Sequence, residues 1–170
     1  VLELVALLEK IGKYLKKFLD CGKGRAYFSR KGRTTLVENK IKVVMCCLGP
    51  ETHNRGIMIV SSILKEEGME VVYMGNTTAD NAIKAAVEED VSVIGVSSLS
   101  GAHLRTGKHL IELLKKKGLE KSIACVIGGV IPPGDVKTLK EMGFSNVCVS
   151  GTKRDELVAA MKVASASVIA

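Results

Sequence analysis

The chain has 170 residues, 46% of them hydrophobic but only 4% aromatic, with no Trp. Its core must therefore come from Val, Ile, Leu, Met, Ala and Cys, the composition of one domain built on a parallel sheet buried on both faces. No apolar stretch is long enough to cross a bilayer, and the Lys and Glu scattered through residues 1–20 exclude a secretory signal.

The net charge of +7 is unevenly placed. Residues 1–40 carry ten Lys/Arg against four Asp/Glu, a net of +6; residues 41–170 carry fifteen against fourteen, a net of +1. The main domain is nearly neutral, so no nucleic-acid partner is expected. The five cysteines are Cys21, Cys46, Cys47, Cys125 and Cys148. The last four sit in apolar, strand-like runs without a C-x-x-C pair, which predicts buried reduced thiols in a cytoplasmic protein. No Cys/His spacing fits zinc. The first residue is Val, as in a trimmed or excerpted chain.

Residues 1–19 predict an amphipathic helix. Leu4, Leu8, Ile11, Leu15 and Phe18 form one stripe, with most lysines off it. Cys21-Gly22-Lys23-Gly24 ends this helix, and residues 25–39 form a basic segment without a sustained period. From Ile41 onward strands and helices alternate. The strands are expected at Lys42–Leu48, Glu70–Tyr73, Val93–Ser97, Ile123–Ile127 and Asn146–Val149. The helices are expected at Gly56–Glu67, Asp80–Glu89, Leu104–Lys117, Asp135–Met142 and Asp155–Val163, with a fraying Ala/Ser-rich end over 164–170.

Five strands joined by helical crossovers imply a doubly wound α/β fold with a five-stranded parallel sheet in the order 2-1-3-4-5. The division is then a helical leader, residues 1–40, and a domain over 41–170. Ligands of such sheets bind beyond the carboxyl ends of the strands, at the switch point between the first and third.

Three loops fall at that edge. The first is Glu51-Thr52-His53-Asn54-Arg55-Gly56, after the first strand. A carboxylate two residues before a histidine can hold one ring nitrogen and leave the other as a metal donor. A surface or capping histidine is the ordinary alternative; Glu51, Gly56 and the strand-end position weigh against it. His103 and His109 lack such surroundings and are expected to pack or be solvated.

The second loop begins at Ser97-Ser98-Leu99. Ser97 there either hydrogen-bonds a ligand or caps the turn, with Leu99 in the core. Gly128-Gly129 either admits a bulky group to the backbone or makes a tight turn, and Gly151-Thr152 after the fifth strand is a similar mark. There is no phosphate-binding G-x-x-x-x-G-K-[ST] or G-x-G-x-x-G, no acid cluster of a response regulator and no G-x-S-x-G elbow.

Glu51-x-His53-x-x-Gly56, Ser97-x-Leu99 and Gly128-Gly129 together resemble the D-x-H-x-x-G, S-x-L, G-G signature of cobalamin-binding domains. The stretches Val93 to His103 and Gly128 to Pro133 are most similar to the cofactor domain, or separate small subunit, of acyl-CoA mutases of the methylmalonyl-CoA mutase type. The resemblance covers about residues 41–163 and implies a flavodoxin-like fold and an adenosylcobalamin-dependent isomerase. It implies that His53 replaces the cofactor's dimethylbenzimidazole as lower axial cobalt ligand, with Glu51 on its second nitrogen. Thr52, Asn54, Arg55, Gly56, Gly101 and Gly151 join the expected binding set. The freed tail would enter a slot lined by Ser97, Leu99, Gly128, Gly129 and Thr152.

The upper face would meet a (β/α)8 barrel that carries the acyl-CoA and starts the radical 1,2-rearrangement. A barrel needs ~250 residues, so a large partner subunit is implied. A cobalamin-loading chaperone is a further expected partner of the leader. A corrinoid protein for methyl transfer and a non-catalytic cobalamin carrier or sensor are the alternative functions. The sequence departs from the family in three places. Glu51 stands for the usual Asp and is expected to bend its bond to His53 or carry it through water. Thr52 replaces a usual glycine behind Pro50, stiffening the loop. Cys148 stands where an aromatic side chain often walls the slot.

Overall fold

The computed structural model describes residues 40–168. The expectations for residues 1–39 lie outside the described residues. Strands β1 (Lys42–Leu48), β2 (Glu70–Thr77), β3 (Val93–Ser98), β4 (Ala124–Gly129) and β5 (Asn146–Val149) alternate with helices α1 (Arg55–Glu66), α2 (Ala79–Glu88), α3 (His103–Lys116), α4 (Asp135–Met142) and α5 (Arg154–Val168). All strand pairs are parallel and the order is β2-β1-β3-β4-β5. This is the flavodoxin-like order expected from the alternation, and it puts the chain reversal between β1 and β3.

Side-chain alternation sorts the core into two layers. Val43, Met45 and Cys47 of β1 face α1 and α5, packing with Ile57, Leu64, Val158 and Met161. Val44 and Cys46 face α2, α3 and α4, packing with Ile83, Leu110, Leu114 and Leu139. Burial on both sides explains why β1 reads as an unbroken apolar run. Burial also pushes the Cys46 thiol up to about 12, with Cys47 adding to the effect. No helix among the described residues is long and apolar enough to cross a membrane.

β4 runs two residues past its expected end, through Gly128-Gly129, and two further elements outrun their sequence signals by more. β2 continues through Met74-Gly75-Asn76-Thr77, which has a turn-like composition. The register slips between Met45 and Cys46, so that Tyr73 pairs with Met45 and Gly75 with Cys46. Gly75 takes φ +61° at this bulge, a conformation glycine adopts without strain. The bulge carries the strand onward to Asn76, beside the loop after β1. α5 runs to Val168 rather than fraying after Val163. Ala164 and Ser165 are both 1% exposed, and the Ser165 and Ser92 hydroxyls are 2.9 Å apart. Tertiary packing extends the helix beyond what its composition suggests.

Candidate functional site

The loop from Gly49 to Asn54 leaves the carboxyl end of β1 and enters α1. Its path is fixed by the backbone. The Gly49 N–H donates to Thr77 O at 3.1 Å and the Glu51 N–H to Gly49 O at 3.0 Å. From the end of β2, Asn76 Nδ2 donates to the Glu51 carbonyl. α1 is then anchored under the loop by Ile57, which is fully buried and contributes roughly 1.5–3 kcal/mol.

Glu51 is 5% exposed, yet its carboxylate is saturated with donors. Oε2 accepts the backbone N–H groups of Leu99 and Ser100, each at 2.9 Å. Oε1 meets the His53 Nδ1 at 3.2 Å and the His53 N–H at 3.4 Å. Burial alone pushes this carboxyl up. The bonds from Leu99, His53 and Ser100 outweigh burial and bring the pKa from 4.5 down to about 2. The contact to His53 is direct, so the added methylene of Glu51 leads neither to a water bridge nor to a lost bond. It lets one carboxylate span the loops after β1 and β3.

The His53 side chain is 73% exposed. An anionic acceptor at Nδ1 favours the Nδ1–H tautomer of the neutral ring. The Thr52 hydroxyl lies 3.3 Å from the same nitrogen. Nε2 has no hydrogen-bond partner among the described residues. Those residues contain no group of three or more His, Cys, Asp or Glu able to hold a metal. A bare ion takes three or four protein ligands. One oriented imidazole instead suits a metal that arrives with its other ligands in place.

Beside this loop, between the sheet and helices α1 and α5, lies a cavity of about 290 Å³, near the lower end for small-molecule pockets. Its floor is Met45, Val96, Ser97 and Val126; its walls are Gly56, Ile57 and Val60 from α1 with Leu157 and Met161 from α5. Leu99, Gly128, Gly129, Cys148, Gly151 and Thr152 complete the lining. The walls are largely apolar, and burial with the nearby Glu156 raises the Cys148 thiol pKa. Arg154 spans from α5 to α1, reaching Glu66 at 2.8 Å and Glu67 at 2.9 Å.

The glycines do different work. Gly129 has φ +134°, and a Cβ there would run into the Ser98 backbone carbonyl; a Cβ on Gly128 would lie 3.1 Å from Cys148 O. This pair is required by the close approach of β3, β4 and β5 as much as by any ligand. A Cβ on Gly56 would meet nothing within 4 Å. The fold does not demand glycine at that position, so open space at the start of α1 is its effect.

The structure thus brings Ser97, Leu99, Gly128, Gly129, Gly151, Thr152 and Gly56 onto one cavity. Glu51 is buried behind the loop, while Thr52, His53, Asn54 and Arg55 are exposed on it. Asn54 precedes α1 without a side-chain cap. Gly101 is not in the cavity lining; it turns the chain toward α3 with φ +75°.

Sequence reasoning missed Asn76, the Leu99 and Ser100 N–H donors, and the methionines Met45 and Met161. A polar residue at the close of β2 marked Asn76; backbone donors carry no side-chain signal. His103 also stands out. It is 4% exposed, Nε2 bonds Asp135 Oδ2 at 2.8 Å, and Nδ1 is buried without a partner among the described residues. Such an unmet group costs about 1–3 kcal/mol.

The family model described as B12 binding domain matches residues 41–160. The chain is 31% identical over 122 residues to the 2-hydroxyisobutanoyl-CoA mutase small subunit of Aquincola tertiaricarbonis, covering 71% of this chain and 89% of that protein. It is 38% identical over 119 residues to the pivalyl-CoA mutase small subunit of Xanthobacter autotrophicus, covering 69% and 79%. Among solved structures, a cobalamin-binding protein from Desulfitobacterium hafniense superposes with a TM-score of 0.64 at 20% identity, over 74% of this chain and 60% of that one. That likeness bears on the fold.

Proposed function

This chain belongs to the B12-binding domain family, and we propose that it is the cobalamin-binding subunit of an adenosylcobalamin-dependent acyl-CoA mutase. The observation that carries the reading is the His53 imidazole, held at Nδ1 by the buried Glu51 carboxylate and without a partner at Nε2 among the described residues, beside a cavity lined with small and apolar residues. The similarity to two acyl-CoA mutase small subunits favours isomerisation over corrinoid-dependent methyl transfer.

In this reading His53 Nε2 would hold the cobalt of the cofactor, and the cavity between the sheet, α1 and α5 would take its nucleotide tail. Gly56 leaves room at its entrance. Ser97 and Thr152 present hydroxyls to it, and Leu99, Val126 and Met161 exclude water from it. Gly128, Gly129 and Gly151 let the backbone approach the tail. Thr52, Asn54 and Arg55, exposed on the same loop, would contact the cofactor, and Gly101 positions the neighbouring loop. When bound, adenosylcobalamin supplies a cobalt–carbon bond whose homolysis starts a radical carbon-skeleton rearrangement. The chain's own task is to bind the cofactor, keep His53 Nδ1 protonated toward Glu51 and aim Nε2 outward.

A larger mutase subunit completes the enzyme. We assign it a (β/α)8 barrel that binds the acyl-CoA, and we assign the leader, residues 1–40, to docking that subunit or a cobalamin-loading chaperone, separate from the module over 41–170. A cytoplasmic location suits buried reduced cysteines.

The test is titration of the full chain and of His53→Ala with adenosylcobalamin, followed by absorption. The expected result is a nitrogen-ligated spectrum, close to that of the free cofactor, when cofactor is bound to the native chain, and a base-off spectrum when it is bound to the variant. A base-off spectrum for cofactor bound to the native chain contradicts the ligand assignment.

A further inference from the structure

We propose that His103 is a positioning residue for His53, acting through the loop Leu99–Ala102 and anchored by Asp135. The inference rests on the reading of His53 above and extends it to a side chain on the opposite face of the sheet.

Four observations lead to it. First, the His53 ring is held by Glu51 Oε1, while Glu51 Oε2 is held by the N–H groups of Leu99 and Ser100. The orientation of His53 therefore depends on where that loop sits. Second, the loop is fixed at one end by the sheet and at the other through the first turn of α3, where the Ala102 carbonyl accepts the Thr106 N–H and hydroxyl, each at 2.9 Å. Ser98 is locked into the sheet, its carbonyl accepting the Val130 N–H at 3.2 Å. At the other end come Gly101, with φ +75° and open space around it, and Ala102, which gives α3 no side-chain cap.

Third, His103, the next residue, bonds Asp135 at the start of α4. Among the described residues this is the one side-chain hydrogen bond that ties the first turn of α3 to another helix. Fourth, His103 Nδ1 is buried with no partner among the described residues. An apolar side chain would fill the same space without that unmet lone pair, so filling space does not account for an imidazole here. Its Nε2–H donor to Asp135 does: it fixes the second end of the loop that holds Glu51.

The experiment uses the full chain labelled with 15N-histidine, comparing wild type, His103→Leu, His103→Gln and Asp135→Ala. Imidazole NMR of the cofactor-free chain reads the tautomer of His53; denaturant unfolding reads stability; adenosylcobalamin titration reads the histidine-ligated fraction. Wild type is expected to show His53 as a single Nδ1–H tautomer. His103→Leu is expected to be at least as stable as wild type, yet to lose that single tautomer and to bind the cofactor about tenfold or more weaker, the scale for disturbing a residue behind a metal ligand. His103→Gln, which keeps an N–H able to reach Asp135, is expected to restore the tautomer.

A folded His103→Leu with unchanged His53 signals and affinity overturns the proposal. So does loss of the tautomer only in step with loss of stability, without rescue by Gln. If His103→Leu does not fold, Asp135→Ala decides in the same way, because it removes the anchor from a partly exposed position and keeps the ring. Failure of wild type to place His53 on cobalt overturns the site reading itself. A wild type that does so, matched by His103→Leu, overturns the role of His103 alone.

Discussion

The Glu51 carboxylate accepts the Leu99 N–H at 2.9 Å, across forty-eight positions of chain and from one strand end to its neighbour. With its other oxygen on His53, Glu51 is both the support of the imidazole and the fastener between the loops after β1 and β3. Shortening it separates the two tasks. Glu51→Asp is expected to lose either the His53 contact or the pair of N–H bonds. The expected cost is about 1–3 kcal/mol of stability or about 10–100-fold of cobalamin affinity. Denaturant titration and cofactor titration of the same preparation distinguish the two outcomes. No change in either measurement contradicts the role given to Glu51.

Acid should reveal the same carboxylate. Its folded pKa is lowered to about 2 from 4.5. The sign follows: the stabilisation is fully present above pH 4.5, where the unfolded chain is also ionised, and is lost as pH falls through the folded value. The difference of pKa corresponds to roughly 3 kcal/mol at neutral pH. Urea unfolding of the cofactor-free chain between pH 6 and pH 3 should show a steeper loss of stability than Glu51→Gln, whose neutral amide does not titrate. Parallel curves for the two proteins would count against the lowered pKa.

The glycines of the site should respond in opposite ways. Gly129→Ala puts a methyl group into the Ser98 carbonyl at φ +134°, with an expected loss of about 2 kcal/mol or more. Gly56→Ala meets nothing and lies within α1, so the cofactor-free chain should gain up to roughly 1 kcal/mol. The new methyl sits where the cavity opens, so tail entry should slow. Stopped-flow cobalamin binding beside thermal unfolding checks both halves. An unstable Gly56→Ala, or a Gly129→Ala as stable as wild type, refutes this division.

That division was only partly legible in the sequence. Gly128-Gly129 announced a place where side chains are missing, but the reason for Gly129 is the Ser98 carbonyl, a backbone atom without a sequence signature. The same holds for the Leu99 and Ser100 N–H groups. In contrast, β1 and the sheet order follow from continuous apolar runs and helical crossovers, and those alone put the His53 loop beside Ser97. The tail of β2 was missed because Gly75 and Asn76 have turn-like composition, and only the bulge against Cys46 makes them strand. The end of α5 was missed because the burial of Ala164 and Ser165 is a tertiary effect.

Cys148 offers a probe of the cavity. It lines the space and its pKa is raised by burial and by Glu156. The raised pKa keeps the thiol protonated to higher pH than a free cysteine, so alkylation by iodoacetamide should be slower than that of a free cysteine and should accelerate as pH rises. Bound cobalamin should protect it further. Peptide-level mass spectrometry in a Cys21→Ser background reads Cys148 apart from the buried Cys46, Cys47 and Cys125. Equal labelling with and without cofactor contradicts the placement of the tail.

The most direct measurement is the paramagnetic resonance spectrum of the cobalt(II) form of cobalamin bound to the full chain, prepared once with natural histidine and once with 15N-histidine. If His53 Nε2 is the lower ligand, each cobalt line is split into a triplet in the first sample and a doublet in the second, and His53→Ala loses the change. A triplet that persists after 15N-histidine labelling means that the nitrogen belongs to the cofactor's own base, and it contradicts the account.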